Sequence, residues 1–348
     1  MSAPPTYVLA GGGTGGHLVP ALAVARELAA GGARVVFVGT ARGLETRLVP
    51  EAGFELRQIR IGGLKTGSAG RRLRTLAQLP GAVWQSRALL EQLRPQAVLG
   101  IGGYASGPVL AAARLRRIPL VLMEVNVRAG LANRWAGRWA RSVAVNFAAT
   151  APEFRHAQVT GIPVREAFFA LGDQPLPPAG VLVTGGSQGA HAINEAVRAL
   201  AAALPQPLLH QTGTADCAAC AAAYAPLGGR ARAVAFVADM AQAMAEAAVV
   251  VARAGASTLG ELAAARRPAI LIPYPGAADQ HQLRNARAYA AAGAAVVIEQ
   301  HELTPERLRA AIASLLAAPE RLAAMRAAAA SQARPAAARA IAELVASS

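Results

Sequence analysis

Two glycine-rich turns about 175 residues apart constrain the fold of this chain more than any other feature. The first glycine turn reads GGGTGGH over residues 11–17 and follows the apolar run YVLA. The second glycine turn reads GGSQG over residues 185–189 and follows VLVT. A strand, a glycine turn and a helix in this order present free backbone N–H groups and the positive end of a helix dipole to an anion, usually a phosphate. One copy in each half of the chain predicts twin nucleotide-type domains that face each other across a cleft.

The length and the alternation of elements support two domains of one class. A chain of 348 residues fits two domains of about 170 residues. Short β-branched runs alternate with helix-length segments, which predicts an α/β fold with a doubly wound parallel sheet in each half. The expected strands are residues 7–10, 34–38, 56–61, 97–100, 119–123, 143–146, 180–184, 207–211, 233–236, 249–251, 269–272 and 295–298.

The domain boundaries follow from a proline-rich segment. The run DQPLPP at residues 173–178 cannot be helix interior. We therefore expect a first domain at residues 1–162, a linker at 163–179 and a second domain at 180–333. The last helix, at about residues 334–348, is assigned to the first domain, to which it could return.

The positive charge is concentrated in the first half of the chain. The net charge is +15, and residues 1–165 hold 21 basic against 7 acidic side chains, while the remainder holds 14 against 13. Such asymmetry predicts an anionic partner for the first half, which could be nucleic acid, an acidic substrate or anionic lipid. Arginine-rich usage without any target is the alternative, but it would spread the charge over both halves.

Two further features bear on the location of the protein. No run of 18 apolar residues and no basic, apolar leader occurs, so neither a membrane-spanning helix nor a secretion signal is expected. Cys217 and Cys220 have the C-x-x-C spacing of a redox pair or half a zinc site. Because no second cysteine pair exists and the segment is an alanine-rich helix, two buried, inert thiols are expected instead.

The first glycine turn indicates diphosphate rather than dinucleotide binding. It matches G-x-G-x-x-G, but a nicotinamide dinucleotide site also needs an acidic residue at the end of the second strand. That strand ends in FVGT at residues 37–40, where no residue is acidic, so a dinucleotide is not expected. His17 closes the turn at a helix N-terminus, where the imidazolium is disfavoured, so a neutral histidine could serve as a general base. A histidine that merely caps or packs is the alternative.

Other loops that follow predicted strands carry polar groups, and ligands of open parallel sheets bind at this edge. In the first half these are the glycine-rich turn at residues 100–108 and the pair Glu124 and Asn126. Glu124 could orient a base or sugar hydroxyls, or be a surface acid. In the second half, Glu261 could accept ribose hydroxyls or complete a capping box with Ser257 or Thr258. No cluster has the spacing of a catalytic metal site, and no Asp-x-Asp occurs.

Taken together, these loops resemble the MurG family, the glycosyltransferases of bacterial cell-wall synthesis. The motifs are GGTGGH at residues 12–17, GGY and SGP within 102–108, GGSQGA at 185–190, and RAGA followed by Glu261 at 253–261. The resemblance extends over almost the whole chain. It implies the GT-B fold, in which two Rossmann-like lobes face a cleft.

The resemblance also implies a reaction. The family transfers N-acetylglucosamine from UDP-GlcNAc to the C4 hydroxyl of lipid I, which is N-acetylmuramyl-pentapeptide-pyrophosphoryl-undecaprenol, and forms lipid II with inversion at the anomeric carbon. No metal or other cofactor is expected. By this resemblance His17 is the favoured base and Glu124 its rival. Met123 and Val125 replace residues that are usually polar in the family, which affects the acceptor pocket.

The resemblance assigns binding roles to two further sets of residues. Donor-binding residues are Thr14, Gly15, Gly16, Asn126, Arg165, Ser187, Val237, Ala256, Ser257, Thr258, Leu259, Gly260, Glu261 and Gln282. Acceptor-binding residues are Gly13, Gly102, Gly103, Tyr104, Ser106 and Asn133.

A lipid-linked acceptor would explain the basic first half. Basic and apolar residues mix between residues 59 and 84, which suits peripheral binding to anionic lipid at the cytoplasmic face of the cell membrane. The proposed membrane patch comprises Lys65, Arg71, Arg72, Leu73, Leu76, Leu79 and Trp84. An amphipathic core helix with solvated arginines is the alternative. Nucleic acid is not expected, because the segment has too few aromatic residues for a stacking platform.

Three other functions remain open from the sequence. The chain could be a GT-B enzyme that uses another lipid-linked acceptor, or a UDP-GlcNAc 2-epimerase. It could also be a non-catalytic sugar-nucleotide-binding scaffold at the membrane. An epimerase needs no basic membrane face, and a scaffold needs no His17 or Glu124.

Overall fold

The computed structural model describes residues 4–12, 15–41, 43–61, 69–177 and 179–348, with side chains described for all of these except residues 69–76. The chain divides into two compact units. The first unit comprises Met1–Val164 and Arg334–Ser348, and the second comprises Arg165–Ala333. The chain passes from the first unit to the second within the segment predicted as a linker.

The first unit is built on a parallel sheet of seven described strands in the order β3-β2-β1-β4-β5-β6-β7. The strands are β1 (Thr6–Gly11), β2 (Arg34–Gly39), β3 (Glu55–Gln58), β4 (Ala97–Gly102), β5 (Leu120–Glu124), β6 (Ser142–Val145) and β7 (Ala157–Val159). The helices are α1 (Gly15–Ala30), α2 (Glu45–Glu51), α3 (Ala69–Leu93), α4 (Ser106–Leu115) and α5 (Leu131–Ala136). The central strands β1, β4 and β5 are buried at every residue except Thr6, as in parallel sheets covered on both faces.

The second unit repeats this architecture with a parallel sheet of six described strands in the order β10-β9-β8-β11-β12-β13. The strands are β8 (Val181–Thr184), β9 (Leu208–Gln211), β10 (Ala231–Val234), β11 (Val249–Ala252), β12 (Ala269–Leu271) and β13 (Ala295–Val297). The helices are α6 (Glu166–Gly172), α7 (His191–Leu200), α8 (Cys217–Tyr224), α9 (Met240–Ala245), α10 (Ala256–Ala264), α11 (His281–Ala291), α12 (Pro305–Leu316) and α13 (Pro319–Gln332).

The last helix, α14 (Ala337–Ala346), packs in the first unit against α1, β4 and β5. It buries Ile341 and Val345 completely. Upstream, Gly161 has a φ of +78°, and the space beside its Cα is filled by the side chain of Arg334. The C-terminal segment is therefore tied to the first unit both through α14 and through the turn that precedes it.

All twelve predicted strands are present, and the largest differences in their bounds are at two edge strands, β3 and β10. β3 is Glu55–Gln58 rather than 56–61, and β10 is Ala231–Val234 rather than 233–236. β7 was not predicted, because it has three residues and is largely exposed at an edge.

Two predictions about other features can be compared with the described residues. Cys220 is buried, and burial raises the pKa of its thiol. Cys217 is only half-buried, so the prediction of two buried thiols was wrong for this residue. Within the described ranges, none of the helices combines the length and the apolar character needed to cross a bilayer.

Candidate active site

In the first unit, the end of β1 lies directly against the end of β4. Gly11 has a φ of +144°, and a Cβ on this residue would overlap the carbonyl oxygen of Gly102. A Cβ on Gly103 would lie 2.5 Å from the carbonyl oxygen of Gly12. Glycine is therefore required on both sides for the two backbones to approach so closely. Gly13 and Thr14, which the family resemblance assigns to acceptor and donor, lie outside the described residues.

His17 lies in the first turn of α1, which Gly15 and Gly16 open. Its side chain borders the same turn of β4, since a Cβ built on Gly102 would lie 3.2 Å from Nε2 of His17. The amide Nδ2 of Asn133 is 3.9 Å from that point. The fold thus brings the predicted base, a glycine turn and a predicted acceptor-binding amide to one place.

Glu124 is buried at the carboxyl end of β5, where it accepts hydrogen bonds through both oxygens. Oε1 accepts from the backbone N–H of Asn126 at 3.0 Å and from its Nδ2 at 3.4 Å. Oε2 accepts from the backbone N–H of Gly130 and from Nδ2 of Asn133, each at 2.9 Å. Burial raises the pKa of Glu124 despite these donors. A carboxylate held in this way organises the loop after β5.

Asn133 is the second fixed point of that loop. Its Nδ2 also donates to the carbonyl of Met123 at 3.0 Å. Its Oδ1 is buried and has no hydrogen-bond partner within the part of the chain that the structure describes. A buried acceptor without a donor is costly, so this oxygen is suited to accept a hydrogen bond from a ligand.

Tyr104 and Ser106 follow β4 and have local partners. The hydroxyl of Ser106 is buried and donates to the carbonyl of Gly103 at 2.8 Å, which stabilises the turn. The hydroxyl of Tyr104 lies 3.4 Å from Oγ1 of Thr40.

Glu45 belongs to this region, although the sequence analysis did not identify it. Its carboxylate is completely buried and accepts from the backbone N–H and the hydroxyl of Thr40, both at 2.9 Å. A Cβ on Gly12 would lie 2.7 Å from the carboxylate carbon. The Glu45 carboxylate therefore packs beside Gly12 and supports the first glycine turn. The signal in the sequence was an acidic residue six positions after the end of β2, beyond the position where a ribose-binding acid was sought.

In the second unit, the second glycine turn connects β8 to α7. Gly186 and Gly189 have φ values of +87° and +75°. Ser187 is exposed at the tip of the turn. The helix begins at His191 after Ala190, so the turn lies directly before a helix N-terminus, as predicted.

A buried polar network underlies this turn. Asn194 donates to the carbonyl of Thr212 at 2.8 Å and to Asp216 at 2.7 Å, so its Oδ1 is left to accept from Nε2 of His210 at 3.0 Å. Nδ1 of His210 then accepts from the hydroxyl of Tyr224 at 2.8 Å. Burial lowers the pKa of His210 to about 4. The ring is therefore neutral near pH 7, with the proton on Nε2.

Glu261 and Arg165 lie close enough to interact electrostatically. Glu261 is half-buried on α10, and burial raises its pKa to about 7, an effect that Arg165 partly offsets. Arg165 precedes α6 and is exposed, with its guanidinium 4.9 Å from the ring centroid of Phe168. The alternative of a capping box was wrong, because the N-cap of α10 is Gly255 and no side chain caps it.

The remaining donor-binding candidates of α10 are in its first turns. Ser257, Thr258 and Gly260 are half-buried, whereas Ala256 and Leu259 are buried. The half-buried members can contact a ligand with their side chains or, for Gly260, with the backbone.

Gln282 lies on α11, after a loop with unusual backbone geometry. Its Oε1 accepts from the backbone N–H of Tyr274 at 2.9 Å. Asp279 and Gln280 have φ values of +52° and +53°, which non-glycine residues rarely adopt. Such strain clusters at ligand sites. Arg253, which directly follows β11, is buried. It donates to the carbonyl of Ile272 at 3.0 Å, just before this loop, and so stabilises the loop.

The predicted membrane patch is only partly described. Lys65 lies outside the described residues, as do the side chains of Arg71, Arg72, Leu73 and Leu76. Leu79 is half-buried on α3, and Trp84 on the same helix is 73% exposed. Among the residues whose positions are described, no three His, Cys, Asp or Glu side chains cluster in a way that could hold a metal ion.

Comparison with known proteins agrees with this architecture. The glycosyltransferase family 28 N-terminal domain matches residues 7–145, and the C-terminal domain of the same family matches residues 180–341. The crystal structure of MurG from Acinetobacter baumannii superimposes with a TM-score of 0.83 at 34% identity, covering 99% of this chain and 100% of that one. Two parallel-sheet units with both family 28 domains define a glycosyltransferase of the GT-B fold.

Curated relatives narrow this class. A UDP-N-acetylglucosamine–N-acetylmuramyl-(pentapeptide) pyrophosphoryl-undecaprenol N-acetylglucosamine transferase of Syntrophotalea carbinolica is 47% identical, over 92% of this chain and 93% of the relative. The transferase of the same name from Sorangium cellulosum is 45% identical, over 98% and 88% respectively. The chain belongs to the MurG family. The resemblance inferred from the loop motifs is thereby confirmed.

Proposed function

We propose that this protein transfers N-acetylglucosamine from UDP-GlcNAc to the C4 hydroxyl of lipid I, with inversion at the anomeric carbon, and so forms lipid II. The observation that carries the proposal is similarity over nearly the whole chain to transferases named for this reaction. The chain also has a glycine turn before a helix in each unit, which suits two substrates that each contain a diphosphate.

The second unit binds the donor in this proposal. Ser187 and Arg165 hold the UDP diphosphate, and the backbone of Val237 contacts uracil. Residues 256–261 line the nucleoside, with the Glu261 carboxylate accepting the ribose hydroxyls. The raised pKa of Glu261 fits this role, because hydroxyl donors would stabilise the charged form that burial disfavours. Gln282 binds near the sugar, and the family resemblance also assigns Thr14, Gly15, Gly16 and Asn126 to the donor.

The first unit binds the acceptor. The first glycine turn at Gly13 and the turn after β4 contact the prenyl diphosphate, through Gly102, Gly103, Tyr104 and Ser106. Asn133 supports this proposal, because its buried Oδ1 has no hydrogen-bond partner among the described residues.

His17 removes the proton from the C4 hydroxyl as that oxygen attacks the anomeric carbon. The bond from this carbon to the UDP oxygen breaks, and UDP departs with the electron pair. Backbone N–H groups of the second glycine turn, the N-terminus of α7 and Arg165 stabilise its charge, so the proposed reaction needs no metal or other cofactor.

We also propose that the first unit binds peripherally to anionic lipid at the cytoplasmic face of the cell membrane. The undecaprenyl tail keeps the acceptor in the bilayer, and residues 1–165 carry 21 basic against 7 acidic side chains. Trp84 supports an interfacial contact, because a large aromatic side chain is exposed on α3.

Release of UDP tests the proposed reaction. We expect release from UDP-GlcNAc only when a water-soluble lipid I analogue is present, measured by a coupled assay. The matched control is the same analogue with hydrogen in place of the C4 hydroxyl, which should give no release. UDP-GlcNAc binding without turnover would indicate a scaffold. Conversion of UDP-GlcNAc to its 2-epimer without acceptor would indicate an epimerase.

Vesicle sedimentation tests the membrane proposal. We expect binding to vesicles that contain phosphatidylglycerol, little binding to phosphatidylcholine alone, and weakening at high salt because screening reduces the attraction. Trp84→Ala should reduce binding, whereas Phe236→Ala, which removes an exposed aromatic side chain of the second unit, should not. Binding that is indifferent to lipid charge at low salt would contradict the proposal.

A further inference from the structure

The side chain of Gln211 connects two loops of the second unit that are far apart in the sequence. It lies at the end of β9 and is 2% exposed. Its amide nitrogen donates to the carbonyl of Gly186 at 2.9 Å and to Oγ1 of Thr184 at 3.1 Å. Its amide oxygen accepts from the backbone N–H of Val237 at 2.8 Å.

The orientation of this amide is fixed by its partners. The carbonyl of Gly186 can only accept a hydrogen bond, and the backbone N–H of Val237 can only donate one. A flipped amide would place its oxygen next to the carbonyl oxygen of Gly186 and its nitrogen donors next to the N–H of Val237. The side chain therefore acts as a link of fixed length and direction between the second glycine turn and the loop after β10.

Thr184 extends the link into the glycine turn. Its Oγ1 accepts from Gln211 and also from the backbone N–H of Gly186 at 3.2 Å. Gly186 is therefore held through both its N–H and its carbonyl group. Gly186 has a φ of +87°, and none of the described residues beyond its chain neighbours places an atom within 4 Å of a Cβ built on it, so it is not fixed by packing on that side. Hydrogen bonding is thus what sets its orientation.

We propose that Gln211 is a positioning residue that holds the diphosphate-binding turn and the uracil-binding loop at the spacing of one UDP molecule. The proposal rests on the proposed function, which assigns the second glycine turn to the diphosphate and Val237 to uracil. Gln211 touches no substrate in this scheme. Gln211 affects the affinity for the donor indirectly, through two backbone segments. One segment contacts the diphosphate end of the donor, and the other contacts its uracil end.

Uridine and UDP report on different ends of the link. Both ligands contain uracil, whereas only UDP contains the diphosphate that the second glycine turn binds. Gln211→Met has a similar size but removes all three hydrogen bonds, so the Kd values of both ligands should rise about tenfold, which is within the usual cost of unpaired buried groups. Gln211→Glu keeps an acceptor for Val237 but loses the donors to Gly186. It should weaken UDP about tenfold or more while uridine stays within about threefold. Thr184→Val should act like Gln211→Glu.

Isothermal titration calorimetry provides these Kd values, and steady-state kinetics provide a second readout. For Gln211→Met we expect the KM for UDP-GlcNAc to rise about tenfold, while kcat and the KM for the lipid I analogue stay within about threefold. Gln332→Met, the same substitution at the exposed end of α13, is the matched control and should change none of these values.

Two outcomes would overturn the positioning role. One is a Gln211→Met variant that melts at a lower temperature yet binds both ligands like the wild type, since Gln211 would then be purely structural. The other is equal weakening of uridine and UDP by Gln211→Glu. Failure of the wild type to bind UDP at all would instead contradict the proposed function, so the two failures can be distinguished.

Discussion

Replacing His17 by alanine is expected to lower kcat by 10²-fold or more, because a positioned base contributes about this much to proton transfer. The Kd of UDP should stay unchanged, since the proposed UDP contacts lie on the second unit. Steady-state kinetics with the lipid I analogue and calorimetry with UDP measure the two effects. His156→Ala, which removes an exposed histidine of the same unit, is the matched control and should keep wild-type turnover.

Chemical rescue distinguishes the two candidate bases. Imidazole should restore part of the activity of the His17→Ala variant. Glu124→Ala should also be impaired, but formate should not rescue it, because both carboxylate oxygens are occupied by N–H donors from Asn126, Gly130 and Asn133. Removing them disorganises a loop, which a small acid cannot restore. Rescue of Glu124→Ala by formate, with no effect of imidazole on His17→Ala, would assign the base to Glu124.

The architecture could be predicted because the strongest signals are local. A short apolar run before a glycine turn identifies β1 and β8 within about ten residues of sequence, and the alternation of strands and helices then requires parallel sheets. The errors arise where this signal is weakest. β7 has three residues and an exposed pattern, so nothing in its composition distinguishes it from a loop. The ends of β3 and β10 depend on pairing with a neighbour on one side only.

The location of the site was predictable, but its supporting side chains were not. Ligands bind at the carboxyl ends of parallel strands, and this rule pointed to the loops that carry His17, Glu124 and Glu261. Gln211 lies at the end of a strand in the same way, yet two of its three partners are backbone groups that lie 25 and 26 residues away. Backbone groups leave no mark on composition or spacing. A side chain that organises a site through them is therefore visible only once the fold is known.

Alanine at Gly189 is expected to raise the Kd of UDP about 10²-fold. Gly189 has a φ of +75°, and a Cβ on it would overlap the carbonyl oxygen of Thr212. In return, a Cβ on Gly213 would overlap the carbonyl of Gln188. The second glycine turn and the segment after β9 therefore meet backbone to backbone. Rotation of a side chain cannot relieve such an overlap, so the turn itself must move.

Displacing a turn whose backbone N–H groups hold the diphosphate should cost about 3 kcal/mol, at the upper end of ordinary single substitutions. That corresponds to a rise in the Kd of UDP of about 10²-fold. Gly228→Ala is the matched control, because this glycine also has a positive φ, of +62°, but a Cβ there meets no atom of the described residues within 4 Å. It should cost about 1 kcal/mol of stability and leave UDP binding intact. Calorimetry gives the Kd of UDP for both variants, and thermal unfolding gives their stability. Gly228→Ala shows the effect of conformational strain alone, so any additional effect of Gly189→Ala is due to the close backbone contact. Equal effects of the two substitutions on UDP affinity would mean that the contact between Gly189 and Thr212 does not position the diphosphate.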